Sequence, residues 1–276
     1  MNIIPQLSKL SLTHLTTLRW ALPELVAHAN EFGFAAVGLW LPHLTAFGEE
    51  KAIDLIFESG LKVSSLGSVG GFTGTHGYSQ RDAILDTRDA LHLASRLGAE
   101  SLTLTTGARS GHTHKHARRL VVTALRELAP EAEELNIQLT VKPMRQSVSS
   151  RWTFLHEFRD AVRLVRDCNH PSIKVAFGTW HLWDQSDLCS LLERHLDTIG
   201  SVQLADGTRS PSGLQDQCLL GEGEIPFDRI LRPMVEGNFT GFYELDVWSP
   251  ELWSHNSVDL LSHCRDQLTR TVAARH

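Results

Sequence analysis

Cysteine is scarce in this chain and scattered. The four residues, Cys168, Cys189, Cys218 and Cys264, show no CxxC spacing, which excludes the common zinc and dithiol motifs. No leader-like apolar run precedes them, so reduced thiols in a cytoplasmic protein are expected. No apolar run is long enough to span a bilayer, and no membrane partner is expected. A basic block is missing too. The 26 Lys and Arg stand against 32 Asp and Glu, for a net charge of −6, and without a phosphate footprint nucleic acid is not expected as a partner. Neither GxGxxG nor GxxxxGK occurs, so the glycine-rich run from Gly67 to Gly74 reads as a loop over a site rather than a phosphate cradle.

What is present is length and rhythm. A chain of 276 residues fits one large domain, and a closed (β/α)8 barrel takes roughly 250. Helical periodicity runs from Ala21 to Phe32, Glu49 to Ser59, Gln80 to Leu97, Ala117 to Leu135, Trp152 to Cys168, Asp187 to His195, Phe227 to Val235 and Val258 to Val272. Between these lie short apolar or alternating runs, from Leu7 to Leu12, Phe34 to Trp40, Leu61 to Leu66, Ser101 to Thr105, Leu139 to Arg145, Ile173 to Trp183, Val202 to Gly207 and Gly241 to Trp248. Strand and helix alternate without a linker or a shift of composition, which predicts a parallel sheet with crossovers. Eight such units predict an α/β fold, a TIM barrel spanning residues 1–276 as one domain.

Several of the strands end in a polar tip. Leu139 to Val141 runs into Lys142 and Pro143, Ile173 to Phe177 into Gly178 and His181, Val202 into Gln203 and Asp206, and Phe242 to Leu245 into Asp246. In a parallel barrel these ends meet at one mouth. His112, His114 and His116 alternate in what reads as a solvated loop; three imidazoles on one side would suit zinc, but Lys115 stands among them and no carboxylate is adjacent.

The motifs Gly33-Phe34, Gly38-Leu39-Trp40, Gly60-Leu61-Lys62-Val63-Ser64, Leu97-Gly98-Ala99, Lys142-Pro143-Met144, Thr179-Trp180-His181 and Gly221-Glu222-Gly223-Glu224-Ile225 resemble, in order and spacing, the sugar phosphate isomerase/epimerase group. That group lies within the xylose isomerase-like TIM barrels, a superfamily that includes the type-two AP endonucleases. The resemblance covers about Leu7 to Leu261. It implies one divalent metal held by a Glu after strand five, an Asp after strand six, a His or Gln after strand seven and a Glu after strand eight. It also implies that the glutamates act as acid and base on neighbouring carbons. Here Lys142 stands at the first position, Gly178 at the second, Gln203 at the third and Asp246 at the fourth, while an arginine common before the Gly-x-Gly turn is Gln217. A unit positive charge about 5 Å from a dication, at an effective dielectric near 20, is repelled by roughly 7 kcal/mol. The expectation is therefore an enzyme with no metal and no cofactor.

Lys142, His181 and Asp246 are the candidate catalytic residues. The Lys142 ammonium can stabilise a developing enolate or alkoxide, pair structurally with a carboxylate, or form a Schiff base. His181 suits proton transfer if it keeps a near-neutral pKa, or is a packed histidine. Asp246 is a general base or the salt-bridge partner of Lys142, and Asp206 a ligand contact or the organiser of its own turn. Trp40, His43, His76, Arg145, Trp180, Gln203, Asp206, Gln217 and Glu222 complete the candidate binding set for a small polar or carbonyl-containing substrate. The expected chemistry is isomerisation, elimination or rearrangement of an activated carbonyl compound. A catalytically silent barrel, a metal enzyme with other ligands, and a homodimer remain open alternatives at this point.

Overall fold

A computed structural model describes residues 9–74, 77–209, 211, 213, 216–250, 253, 259 and 261–264. Eight strands close into a barrel: β1 (Leu10–Thr13), β2 (Ala36–Trp40), β3 (Lys62–Gly70), β4 (Ala99–Thr105), β5 (Gln138–Val141), β6 (Ile173–Gly178), β7 (Ile199–Leu204) and, after a small hairpin of β8 (Asp206–Gly207) and β9 (Gln217–Cys218), β10 (Tyr243–Leu245). Every barrel pair is parallel, and β10 closes the ring between β7 and β1. The helices are α1 (Leu22–Glu31), α2 (Leu41–Phe47), α3 (Glu49–Ser59), α4 (Gln80–Arg96), α5 (His114–Glu134), α6 (Gln146–Ser149), α7 (Phe158–Cys168), α8 (Thr179–Leu182), α9 (Leu188–His195) and α10 (Phe227–Glu236). The eight-unit barrel expected from the alternation is the observed architecture.

Local chemistry fixes the helix ends. Ser79 and Asp82 form a reciprocal capping box at the start of α4, and Thr113 caps α5 by accepting the His116 amide, each satisfying donors that have no partner inside the helix. The α5 cap revises one expectation. His114 and His116 lie in the helix rather than an extended loop, so the three imidazoles do not share a side: the His112 and His116 rings pack 4.8 Å apart, His116 also binding Arg119 and the His112 Nε2 lying 3.2 Å from the Thr73 carbonyl oxygen, while His114 lies against Phe154. Helix α7 starts six residues later than the periodicity suggested, because Trp152 to Leu155 instead crosses the mouth, Gly107 bridging Thr153 and the Met144 amide bonding to the Leu155 carbonyl. The run after Gly67 is partly strand, with Gly70 paired to Thr105 of β4. Of the expected last helix, only Asp259 and Leu261–Cys264 fall among the described residues.

Alternation along the strands separates two environments. Leu10, Leu12, Val37, Leu39, Val63, Leu102, Leu104, Leu139, Val141, Val175, Phe177, Val202, Leu204 and Leu245 join the buried cluster shared with the helices. The other face carries Ser11, Thr13, Ser101, Thr103, Thr140, Lys142, Gln203 and Glu244, all buried. A barrel interior is ordinarily filled by branched apolar side chains; this one is lined by hydroxyls, an amide, a carboxylate and an ammonium. The stabilising apolar layer sits outside the barrel. The polar layer inside is the floor of the site.

Candidate active site

At the C-terminal end of the strands lies a cavity of about 210 Å³, lined by Thr13, His14, Trp40, Ser65, Thr103, Lys142, Met144, Trp152, His181, Gln203, Gln217, Asp246 and Trp248 among others. The last residues of β5, β6, β7 and β10, or those just past them, deliver the four polar groups expected at a shared mouth. Lys142 Nζ lies 2.9 Å from Asp246 Oδ2, with 11% and 8% of the two side chains exposed. Thr13 donates to the other oxygen, Oδ1, at 3.0 Å. The aspartate is thus held from both sides, and its pairing with Lys142 is direct.

His181 sits in the short helix α8, buried beneath the cavity wall. Burial, then the positive charges of Lys142 and Arg145, hold its pKa well below the usual imidazole value. This corrects the near-neutral titration expected from the sequence: a cation there would lose its water and face two others. Its Nδ1 accepts the backbone N–H of Arg145 at 3.3 Å, so the neutral ring carries its proton on Nε2 and serves as a hydrogen-bond donor.

Five other expected site residues are placed away from the cavity. Asp206, 1% exposed, accepts the amides of Gly207 and Ile225 on Oδ1 and of Gly221 on Oδ2; it builds the turn that precedes α10. Glu222 pairs with His263 at 3.6 Å. Arg145 is engaged by both oxygens of Asp184 and by the Trp180 carbonyl, which leaves it bracing the wall rather than reaching inward. Trp180 is buried at 1% exposure as packing. His43, in α2, lies behind His14, its Nδ1 2.9 Å from the His14 Nε2. His76 lies outside the described residues. Trp40, Gln203 and Gln217 do line the cavity, and Gln217 accepts the Trp248 amide.

Two residues missed by sequence reading matter. Glu244 lies two positions before Asp246, hence on the same inner face one layer deeper, and is fully buried. Burial pushes its pKa up, opposed by hydroxyl donors from Ser64 and Ser65 and the amide of Gln203, with Asp246 adding to the rise. The spacing Glu-Leu-Asp on a strand was the available signal. His14, one residue past β1, has its Nε2 2.9 Å from the Trp20 carbonyl oxygen. Burial lowers its pKa to about 4, with that hydrogen bond opposing and His43 adding to the fall.

These two histidines carry a pH prediction. Each has a folded pKa depressed below 6.5, so the unfolded chain takes up the protons first and stability falls as pH drops from about 6.5 toward about 4. Glu244, with its raised pKa, acts in the opposite sense. Removing His14 as His14→Gln is expected to reduce the loss between about pH 7 and pH 5 by about 2 kcal/mol. Denaturant melts of both proteins at the two pH values check it.

The metal implied by the resemblance can be tested against the donors. The four family positions offer one carboxylate already paired with an ammonium, one amide whose nitrogen binds Glu244, one ammonium and one glycine. At Gly178 even a bare Cβ would stand 3.2 Å from His181 Cδ2. Among the described residues no group of three or more His, Cys, Asp or Glu could hold an ion. This donor set does not fit Mg, Mn or Zn, which ask for several anionic oxygens or imidazoles.

Comparison with known proteins places the fold. A protein of unstated function, SMc04130 from Sinorhizobium meliloti 1021, superposes with a TM-score of 0.89 at 23% identity, covering 96% of this chain and 99% of that one. The IOLI protein with a binding zinc atom gives 0.84 at 15% identity, with 97% and 99% covered. A D-allulose 3-epimerase from Methylomonas sp. gives 0.77 at 18% identity, again with 97% and 99% covered. No protein of curated function matches the chain. No helix among the described residues is long and apolar enough to cross a membrane. The profile of the xylose isomerase-like TIM barrel matches residues 26–265, and the chain belongs to that family.

Proposed function

We propose that this barrel is an enzyme that moves a proton on a small carbonyl compound by acid-base chemistry, without a divalent metal, in an isomerisation, epimerisation or elimination. The observation that carries the reading is the Lys142–Asp246 contact of 2.9 Å inside the cavity. A fixed cation and a carboxylate, side by side at the strand ends, supply the two things enolisation needs. The Asp246 carboxylate takes the proton from carbon. The electron pair of that C–H bond becomes the new C=C bond and the carbonyl π pair moves onto oxygen, which the Lys142 ammonium and the His181 Nε2–H stabilise as donors. Return of the proton to the other face or the neighbouring carbon gives isomer or epimer; departure of a β-substituent gives the elimination product.

Magnitude constrains the substrate. A positioned general base contributes about 10²–10⁴ in rate, and a Lewis-acid metal would supply several kcal/mol more. A compound with an already acidic C–H, such as a β-keto or conjugated carbonyl, suits this cup better than an unactivated sugar. The epimerase among the structural neighbours supports an enzyme of this general class.

The test is solvent deuterium incorporation next to the carbonyl in a panel of ketoses and β-keto acids, read by NMR. Exchange by the native protein is expected to survive dialysis against a chelator within about twofold and to fall about 10²–10⁴-fold in Asp246→Asn. Exchange that disappears on chelation and returns with an added ion would overturn the metal-free reading, and no exchange across the panel would favour a silent barrel.

A further inference from the structure

We infer that a second cavity, outside the barrel mouth and beside the segment that crosses it, is a binding site for a tetrahedral oxyanion, either free phosphate or the phosphate group of a small monoester. The cavity measures about 300 Å³ and is lined by Arg109, His114, Gln146, Ser150, Phe154 and His156. It shares no lining residue with the site at the strand ends, so the inference is independent of the proton-transfer reading. The chain as a whole is acidic, with a net charge of −6, yet no carboxylate lines this hollow. Every side chain around it except Phe154 can donate a hydrogen bond. One unpaired arginine on a surface means little, since arginine is ordinarily exposed. Five potential donors around one space, with no acid among them, describe a partner that is small and negative.

The donors come from separate segments that are fastened together. Arg109 lies in the loop after β4, His114 is the first residue of α5, Gln146 and Ser150 belong to α6 and its end, and Phe154 and His156 to the stretch that leads into α7. Gly107 donates its amide to the Trp152 carbonyl at 2.8 Å, and Thr106 Oγ1 accepts the Phe154 amide at 3.2 Å. The loop after β4 and the crossing segment therefore keep a fixed spacing. The His114 ring meets Phe154 edge-on at 6.5 Å, and its place at the start of α5 sets the positive end of that helix at the rim. His156 Nδ1 lies 2.9 Å from the Met144 carbonyl oxygen. A carbonyl only accepts, so Nδ1 carries a proton, and Nε2 has no partner among the described residues. The exposed Arg109 guanidinium likewise has no ion-pair partner among them. A carboxylate offers two oxygens in one plane, whereas a phosphate offers oxygens on every side; donors set around a hollow by several segments fit the second.

The experiment titrates inorganic phosphate into the full chain at constant pH, reading the His114 and His156 ring signals by NMR after assigning them by their loss in His114→Gln and His156→Gln. Glycerol 3-phosphate, acetate, and chloride at matched ionic strength are run beside it. Phosphate is expected to shift both rings saturably with a dissociation constant of about 1 mM or below, and acetate to bind at least about tenfold more weakly. Arg109→Gln should weaken phosphate about tenfold or more, the loss of one charged hydrogen bond; the residue is exposed, so the variant keeps its fold. Arg119→Gln removes an equally exposed cation that binds His116 and does not line the cavity, and should leave the affinity within about twofold. Tighter binding of glycerol 3-phosphate names a monoester as the ligand; equal or weaker binding names the free ion. Shifts that grow without saturation, that chloride or acetate reproduces, or that weaken equally in Arg109→Gln and Arg119→Gln overturn the inference and leave only diffuse attraction to surface cations. No turnover is read, so the result stands or falls apart from deuterium exchange.

Discussion

Replacing Lys142 with methionine is expected to cut proton-exchange turnover by about 10²–10³-fold, the loss seen when one preorganised donor to a developing oxyanion is removed. Methionine keeps the length of the stem and its packing, so the change isolates the charge. Among the described residues it also leaves the Asp246 side chain with Thr13 as its one remaining hydrogen-bond partner, inside a wall where 8% of its side chain is exposed. Breaking a buried pair from one side costs about 3–5 kcal/mol when the abandoned ion is dry; the cavity lets water approach Asp246, which places the expected loss near the lower figure. The double variant Lys142→Met with Asp246→Leu separates the two roles. Removing both charges should recover most of the stability, since well-packed apolar pairs replace buried ion pairs at little cost, and recover none of the turnover. Turnover that returned with stability would make the pair a structural strut. Urea melts and deuterium exchange on the same samples give both numbers.

Asp206→Ala is expected to be the most damaging change at the rim, at about 3–4 kcal/mol of stability, with exchange per folded molecule unchanged. The carboxylate accepts three backbone amides, at 2.8, 2.9 and 3.2 Å, and is 1% exposed. Each amide left without an acceptor costs about 1–3 kcal/mol where water cannot replace it. Glycine at 223 leaves no slack, because a Cβ there would meet Asp206 Oδ1 at 2.2 Å; the turn is built around the carboxylate. Asp206→Asn, which retains one acceptor oxygen, should fall between alanine and the native residue. A full loss of exchange in a stably folded Asp206→Asn protein would place this aspartate in the chemistry after all.

The eight-fold barrel was legible because period-2 runs and helical stripes recur with glycine stops, and each was long enough to survive errors of a few residues at its ends. Lys142, Gln203 and Asp246 were legible for the same reason: a parallel barrel brings strand ends together whatever the side chains are. Residues that reach a site from elsewhere were harder to find. Asp206 and Glu222 also follow β7 and the glycine turn, but one carboxylate folds back onto amides and the other turns to His263, choices made by loop geometry that no periodicity encodes. His181 was placed correctly in the chain and misjudged in its acidity, since burial depends on the packing of α8 against neighbours distant in sequence. His14 is not legible because a single histidine after a four-residue strand carries no pattern, and Glu244 because it sits one layer below the strand tip, where alternation alone does not tell a buried carboxylate from an exposed one.

The hydroxyl-lined barrel interior has a consequence for how such a protein changes over time. Folding is secured by the greasy sleeve between strands and helices, while the inner surface contributes orientation and recognition. Inner side chains that share few hydrogen bonds with their neighbours can be exchanged, one small polar group for another, without disturbing the apolar layer, whereas members of the bonded set such as Lys142 and Glu244 carry a cost in stability. Evolvability is thereby built into the architecture: new substrates are within reach by tinkering at the bottom of the cup, and the shell that keeps the chain folded need not be touched.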